Sequence, residues 1–146
     1  MKTLGILFTI ALFSLNLQAQ TYIKPPFKGQ STSAVQIGKV QITKTHTIVH
    51  MSCSAPDEFI YGGWACFTNT AYLQDVKTKK KYKLIKSRGI PQCPAKFHFS
   101  KPGQTIYFKL YFERVRHDVR NIHIIEDLNE VANPFNFFDV YLQPVA

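Results

Sequence analysis

The strictest alternation of apolar and polar residues in the chain runs from Thr105 to Glu113. One parity is apolar throughout: Ile106, Phe108, Leu110 and Phe112. The other parity carries polar or amphipathic side chains: Tyr107, Lys109, Tyr111 and Glu113. A repeat of two is the side-chain period of a β-strand, and a helix cannot separate these residues into two faces. The pattern therefore predicts a strand with a buried, phenylalanine-rich face and two outward tyrosines.

Two further strands are predicted in the first half of the chain. Between residues 35 and 42 the apolar positions change parity at Gly38, which is typical of a β-bulge that absorbs a one-residue slip. The next run, residues 47–53, places Met51 and Cys53 on its apolar parity. Cys53 is therefore expected to face the core.

A hairpin is predicted in the middle of the chain, where two β-prone runs, residues 71–76 and 81–86, flank a turn at 77–79. Toward the C-terminus, residues 121–126 and 136–142 predict two more strands. The apolar parity of the last strand carries Phe138, Val140 and Leu142.

The predicted strands are short, and Pro, Gly, Asn and Asp separate them, which is typical of an all-β sandwich. No segment keeps a 3.6-residue period, and residues 127–132 are the one candidate for a helical turn. The expected fold is all-β, an antiparallel β-sandwich of about seven to eight strands. We expect it to occupy residues 34–146, with the polar, proline-containing segment 20–33 as an extended lead-in outside the core.

The first nineteen residues have the features of a secretory signal peptide. Lys2 precedes a nearly uninterrupted apolar run from Leu4 to Leu17, and Ala19 is a small residue suited to cleavage. The run is shorter than the roughly 20 residues that span a bilayer, and no later segment is longer. We therefore expect cleavage after Ala19 and an exported protein, periplasmic or secreted, with no transmembrane segment in the mature chain.

Three cysteines, Cys53, Cys66 and Cys93, in a chain with an export signal indicate one disulfide and one thiol. The predicted hairpin is centred near Thr78, and reflecting Cys66 across that centre falls near Ile90, close to Cys93. We therefore expect a Cys66–Cys93 disulfide and a buried Cys53 thiol. A bridge that closes about 27 residues stabilises a fold by roughly 3–4 kcal/mol on the chain-entropy model.

The chain is basic, with a formal charge of +9 at pH 7 that becomes +8 when Lys2 leaves with the signal peptide. Seven basic residues fall within twelve positions on the hairpin: Lys77, Lys79, Lys80, Lys81, Lys83, Lys86 and Arg88. This cluster could bind an anionic surface such as a glycan or lipid headgroups. Each lysine near an anionic bilayer contributes about 1 kcal/mol to the free energy of binding. The stronger explanation is structural, since lysines on an edge hairpin prevent strand-to-strand aggregation.

A second basic segment follows the strand at 105–113. It contains Arg114, Arg116 and Arg120, which could receive a carboxylate or phosphate, while Glu113 and Asp118 neutralise part of it. Nucleic acid is the less favoured anionic partner. An envelope protein is an equally open partner, and the oligomeric state is left open.

Catalytic signatures are absent from the sequence. There is no glycine-rich phosphate loop, nucleophile elbow, zinc-binding helix or Cys-x-x-Cys pair. An enzyme would need Glu126, Asp127 or a histidine in a concave pocket. We expect no catalytic residue and no cofactor.

Histidines and tyrosines offer two weaker possibilities. Two histidine pairs share a strand face or flank a turn: His46 with His50, and His117 with His123. A metal needs three or four converging ligands, so no metal site is predicted. Tyr107 and Tyr111 could stack against a sugar from the outward face of their strand.

An ordered series of short motifs runs from the centre of the chain to its end: Gly62-Gly63-Trp64, Thr70-Ala71-Tyr72-Leu73, Lys81-Tyr82-Lys83-Leu84-Ile85, Gly89-Ile90-Pro91, Phe108-Lys109-Leu110-Tyr111-Phe112, Ile122 to Glu126, and Phe135-Asn136-Phe137-Phe138. With residues 35–142, this series resembles an uncharacterised immunoglobulin-like β-sandwich domain of exported Gram-negative bacterial proteins. The resemblance implies an immunoglobulin-like sandwich and export, and it transfers no functional residue. The Cys66 and Cys93 pair and the dense lysines at 79–83 depart from it.

The expected function is therefore that of a non-catalytic, exported binding module of the bacterial envelope. A structural subunit of an envelope assembly is the alternative, followed by a hydrolase-type enzyme with an unrecognised site.

Overall fold

The computed structural model describes residues 19–57, 63–126 and 133–143. These residues form eleven β-strands and no helix, which confirms the all-β class. The strands are β1 (Gln20–Ile23), β2 (Phe27–Gln30), β3 (Val35–Ile42), β4 (His46–Ser54), β5 (Trp64–Ala65), β6 (Tyr72–Asp75), β7 (Lys81–Arg88), β8 (Phe97–His98), β9 (Thr105–Glu113), β10 (Asn121–Ile125) and β11 (Phe137–Tyr141). Residues 1–18, which make up nearly all of the predicted signal peptide, and the candidate helical turn at 127–132 lie outside the described residues.

Nine of these strands form one antiparallel sheet in the order β1-β3-β4-β9-β7-β6-β10-β11-β2, and β5 pairs with β8 in a small separate ribbon. The sheet curls into a half-barrel. A β-sandwich is expected to have two separate sheets. Here one strand pairs with strands in both halves of the sheet and so joins them into one.

That strand is β7, which changes partners along its length. Its first residues pair with β6, where Lys83 lies opposite Tyr72, and its last residues pair with β9, where Arg88 lies opposite Lys109. The register shifts between Leu84 and Lys86, and a bulge of this kind bends a strand and increases its twist. The bend at this point allows a single sheet to wrap around one core.

The core lies inside the curl and draws on both halves of the sheet. Its largest fully buried side chains include Phe112 and Leu110 from β9, Leu73 from β6 and Phe137 from β11. The buried face predicted for β9 is therefore confirmed, although Ile106 at its start is only partly covered. The bulge at Gly38 is confirmed as well, since the β3–β4 register shifts between Ile37 and Lys39.

The segment expected to be a lead-in outside the core is part of the sheet. It supplies β1, which pairs with β3, and β2, which pairs with β11, so it forms both edges. Tyr22 in β1 is only 5% exposed and belongs to the core cluster. Only residues 24–26 separate the two strands, so the opposite edges of the sheet lie within about 14 Å of each other.

The side chains of β11 differ from the predicted pattern at one position. Phe137 is buried and Phe138 is 39% exposed, although Phe138 was expected to share the inward face with Val140. Asp139 has a φ of 55° and the β10–β11 register shifts opposite it. This irregularity moves the inward parity by one residue.

The predicted hairpin and disulfide are both confirmed. β6 pairs with β7, and Cys66 is bonded to Cys93 with 5.1 Å between their Cα atoms. A parallel bridge between Phe67 and Gln92 brings the two cysteines together, so the pair is the predicted one but the local geometry is not a simple extension of the hairpin. Cys53 is a buried free thiol, and burial raises its pKa to about 11.

Candidate anion-binding surface

The lysine-rich hairpin lies in the interior of the sheet. In the strand order β7 stands between β9 and β6, and the edges of the large sheet are β1 and β2. Residues 81–83 of β7 pair with β6, and residues 84–88 pair with β9. The hairpin is therefore not an end strand of the sheet, although one side of each half of β7 has no paired strand, so the explanation that these lysines prevent strand-to-strand aggregation stays a prediction. The Lys83 backbone N–H bonds to the Glu113 carboxylate and not to a neighbouring strand. The exposed lysines form a cationic surface on the outside of the curl.

The bulge in β7 keeps its basic side chains on the outward face. Lys81 and Lys83 are exposed before the register shift, and Lys86 and Arg88 are exposed after it. Without the slip, Lys86 and Arg88 would share the inward parity of Tyr82. We call the seven basic residues of the turn and strand the basic stripe: Lys77, Lys79, Lys80, Lys81, Lys83, Lys86 and Arg88.

The turn that carries the first residues of the stripe is held by Asp75. Its carboxylate accepts hydrogen bonds from the Lys77 backbone N–H at 3.1 Å and from Thr78 Oγ1 at 2.6 Å. Lys79 occupies the left-handed region with φ 66°. The turn therefore holds Lys77, Lys79 and Lys80 in defined positions at the end of the hairpin.

Aromatic rings, and not carboxylates, accompany the lysines of the stripe. Lys81 Nζ lies 4.4 Å from the centroid of the Tyr72 ring, and Lys86 Nζ lies 4.8 Å from that of Tyr111. Glu113 is nearby, but its carboxylate accepts the backbone N–H of Lys83 at 2.8 Å. Among the described residues the ion pairs are Lys28 with Asp139 and Arg116 with Asp118, so no stripe lysine has a carboxylate partner within 4.0 Å.

The second predicted basic segment has only one free arginine. Arg114 Nε donates to the Thr43 carbonyl oxygen at 2.8 Å, and Arg116 pairs with Asp118 at 3.3 Å. Arg120 instead lines a hollow of about 390 Å³ together with Lys77 from the hairpin turn. The structure thus joins the two basic segments at one end of the sheet, where Asp75 and Asp118 also line the hollow.

A second feature, a shallow trough of about 380 Å³, crosses the outward face of the sheet next to the stripe. It extends from Gly38 on β3 across β4 and β9 to Arg88 and Gly89 at the end of β7. Sequence reasoning did not bring these residues together, because their proximity depends on the pairing of four strands.

Two glycines shape the trough. A Cβ on Gly89, whose φ is +86°, would lie 2.6 Å from the Tyr107 carbonyl oxygen. Gly38 has no side chain, and the neighbouring Ser52 is small, so the floor stays low. Tyr107 lies opposite Ser52 and is 78% exposed. The predicted outward orientation of Tyr107 is therefore confirmed.

The histidine of the trough, His50, has a ring nitrogen that can bond to a ligand. His50 Nε2 lies 3.2 Å from Gln41 Oε1. In the neutral tautomer that donates this bond, Nε2 carries the proton and Nδ1 is an acceptor. Burial lowers the pKa of His50, and the charges of Lys39 and Lys109 lower it further. A neutral histidine between two lysines can bond to a hydroxyl group.

Glu126, the carboxylate considered for catalysis, is buried and links two loops through hydrogen bonds to their backbone N–H groups. It has no exposed surface, Oε1 accepts the Thr68 backbone N–H at 3.0 Å, and Oε2 accepts that of Phe135 at 2.8 Å. Burial raises the pKa of this carboxyl, while the two amide bonds oppose the rise. Asp127 lies outside the described residues.

The histidine pairs do not converge with other ligands. His46 contacts the Tyr111 ring edge-on, and His123 Nδ1 accepts the Asp139 backbone N–H at 3.0 Å. Over residues 19–57, 63–126 and 133–143, no group of three or more His, Cys, Asp or Glu side chains is placed to hold a metal ion.

Comparisons with models of known protein families, with curated proteins and with solved structures find no match to this chain. In the part of the chain that the structure describes, no helix has the length and apolar character required to cross a membrane.

Proposed function

We propose that this chain is an exported, non-catalytic binding module of the bacterial envelope that engages an anionic surface through the basic stripe. The observation that carries the proposal is the placement of seven exposed basic residues on β7 and its turn, outside the curl and without a carboxylate partner within 4.0 Å. The ligand chemistry is a phosphate or carboxylate group repeated along a surface or polymer. The Cys66–Cys93 disulfide supports export, because disulfides persist in oxidising compartments.

An immunoglobulin-like β-sandwich is the architecture we propose for the module. Its support is the division of the curled sheet at β7 into two groups of strands that share one core. The N-terminal segment that passes from β1 on one edge to β2 on the other adds to this support.

The test measures binding of residues 20–146 to two anionic probes: phosphatidylcholine vesicles with or without phosphatidylglycerol, and soluble polygalacturonate. The stripe variant carries Lys81→Gln, Lys83→Gln and Lys86→Gln. The matched control carries Lys24→Gln, Lys96→Gln and Lys101→Gln, which change the net charge equally and leave the stripe intact.

At low salt the stripe variant should bind about a hundredfold more weakly, since each lysine contributes about 1 kcal/mol near an anionic surface. Binding should also weaken as salt screens the charges. The two probes separate lipid headgroups from a glycan as the source of the anion. Equal losses in the stripe variant and the control would show that net charge alone is responsible, and unchanged binding by the stripe variant would refute the proposal.

A further inference from the structure

Three cationic side chains and a histidine form a row across the outward face of the sheet, and the row meets the basic stripe at Arg88. The strand register places Lys39 on β3 opposite His50 on β4, His50 opposite Lys109 on β9, and Lys109 opposite Arg88 on β7. With neighbouring strands about 4.8 Å apart, the row is about 14 Å long. We call these residues the cationic row.

The row is electrostatically unfavourable in the free protein. Like charges directly opposite each other on neighbouring strands destabilise a sheet. Within the described residues, neither Lys109 nor Arg88 has a carboxylate within 4.0 Å. An anion that bridges Lys109 and Arg88 would convert this repulsion into attraction, and arginine can hold a carboxylate or phosphate through two parallel hydrogen bonds.

The row crosses the trough, which adds shape and an aromatic surface to the charge. The trough is open and shallow, because Gly38 and Ser52 keep its floor low. Tyr107 lies beside the trough, and its side chain is 78% exposed. An exposed aromatic ring gains no stabilisation from burial. The tyrosine can stack against the apolar face of a sugar ring while its hydroxyl stays in water.

We propose that the trough is a binding site for an anionic saccharide, in which acidic sugar residues of a linear glycan lie along the cationic row and one ring stacks on Tyr107. The carboxylate or phosphate substituents pair with Lys109 and Arg88. Ser52 Oγ and His50 lie within the same trough and bond to sugar hydroxyls. This inference rests on the proposed function, and it names the ligand class and the subsite.

The observations favour a saccharide over the other anionic ligands. Single-stranded nucleic acid is bound by successive aromatic side chains, one for each stacked base. Among the residues that line the trough, Tyr107 is the one exposed aromatic side chain, since Phe108 is buried. The phosphatidylglycerol headgroup carries no sugar ring that could stack on Tyr107.

The test uses calorimetric titration of residues 20–146 with trigalacturonate, beside the vesicle assay described above. Tyr107→Ala removes the stacking surface, Tyr107→Phe retains it, and Ser52→Ile fills the floor with a residue that favours strands. None of these changes alters a charge. Thermal unfolding of each variant verifies the fold, which should persist because Tyr107 is exposed.

We expect Tyr107→Ala and Ser52→Ile to weaken trigalacturonate binding on the order of tenfold, or about 1.4 kcal/mol, with Tyr107→Phe close to the wild type. Vesicle binding should stay at the wild-type level in all three.

Wild-type trigalacturonate affinity in both Tyr107→Ala and Ser52→Ile would overturn the site while leaving the proposed function standing. Wild-type protein that binds vesicles but not trigalacturonate would also overturn the site and leave the proposed function standing. Wild-type protein that binds neither probe would refute the proposed function as well. Tyr107-dependent binding of an oligothymidylate in place of trigalacturonate would reassign the trough to nucleic acid.

Discussion

The carbonyl oxygen of Tyr107 lies so close to Gly89 that a Cβ on Gly89 would approach it to 2.6 Å. This contact brings the end of β7 against β9 beside the trough, in a backbone conformation with φ +86°. Glycine is the residue that adopts such a φ without steric cost. Glycine at position 89 therefore allows the turn after β7, lets β7 approach β9 closely and leaves space in the candidate site.

Gly89→Ala should destabilise the protein by about 3 kcal/mol or more, because the methyl group meets backbone atoms and the φ is strained. Gly103→Ala is the matched control. Its φ is +70° but no atom lies within 4 Å of the added Cβ, so strain alone should cost about 1 kcal/mol. Urea unfolding of the two variants measures the difference. Equal losses would show that the contact with Tyr107 adds nothing.

Tyr22→Ala tests whether the N-terminal segment belongs to the folded domain. Tyr22 is buried in β1 opposite Val40, and its hydroxyl donates to Gln20 Oε1 at 2.7 Å. Its truncation should lower the free energy of unfolding by about 3 kcal/mol, as for other buried aromatic residues. Ile23→Ala, at a side chain that is 58% exposed, should change it by less than about 0.5 kcal/mol. A Tyr22→Ala variant as stable as Ile23→Ala would place the segment outside the core.

Glu126→Gln tests the buried carboxylate that links two loops. Both carboxylate oxygens accept backbone N–H groups, from Thr68 and from Phe135. A glutamine offers one acceptor and turns its NH₂ toward the other N–H, so a buried donor is left unpaired at a cost of about 1–3 kcal/mol. Glu113→Gln is the control, because its single bond to the Lys83 N–H is exposed and a glutamine carbonyl can replace it. Chemical denaturation compares the two, and equal stability of Glu126→Gln and wild type would contradict this role.

His50 should make the stability of the fold dependent on pH. Burial first, and then the charges of Lys39 on β3 and Lys109 on β9, lower the pKa of His50 below its ordinary value of 6.5. Its neighbour Gln41 is uncharged. Because the folded pKa is the lower one, the contribution of His50 to stability is complete above the unfolded pKa and is lost as the pH falls through 6.5 and then through the folded pKa.

The measurement is the free energy of unfolding of wild type and His50→Gln between about pH 7.5 and about pH 5. The wild type should lose more stability than His50→Gln over this range. Lys39→Gln and Lys109→Gln should each reduce the loss, because each lysine disfavours the protonated ring. Parallel curves for wild type and His50→Gln would show that the environment of His50 contributes nothing to the pH dependence.

Part of the candidate surface could be predicted from the sequence. The exposure of Lys81 and Lys83 follows from the alternation around Tyr82, and the outward orientation of Tyr107 follows from the strict period of two in β9. The partial neutralisation of the second basic segment by Asp118 could also be predicted, and Asp118 pairs with Arg116. The role of Arg114 could not, because its partner, the Thr43 carbonyl oxygen, is known only once the loops are placed. The cationic row is a further case, since Lys39, Lys109 and Arg88 are far apart in the sequence and meet only through strand register.

By itself, the sequence determined the all-β class, most strands and their buried faces, the bulge at Gly38 and the Cys66–Cys93 pair. These features depend on side-chain alternation and on short separations along the chain, which are local properties. Only the tertiary structure decided that β7 changes partners from β6 to β9, that residues 20–30 supply both edges of the sheet, and that the parity of β11 shifts at Asp139. Backbone hydrogen-bonding groups are alike at every position, so the choice of neighbouring strands depends on how all of the apolar faces pack around one core.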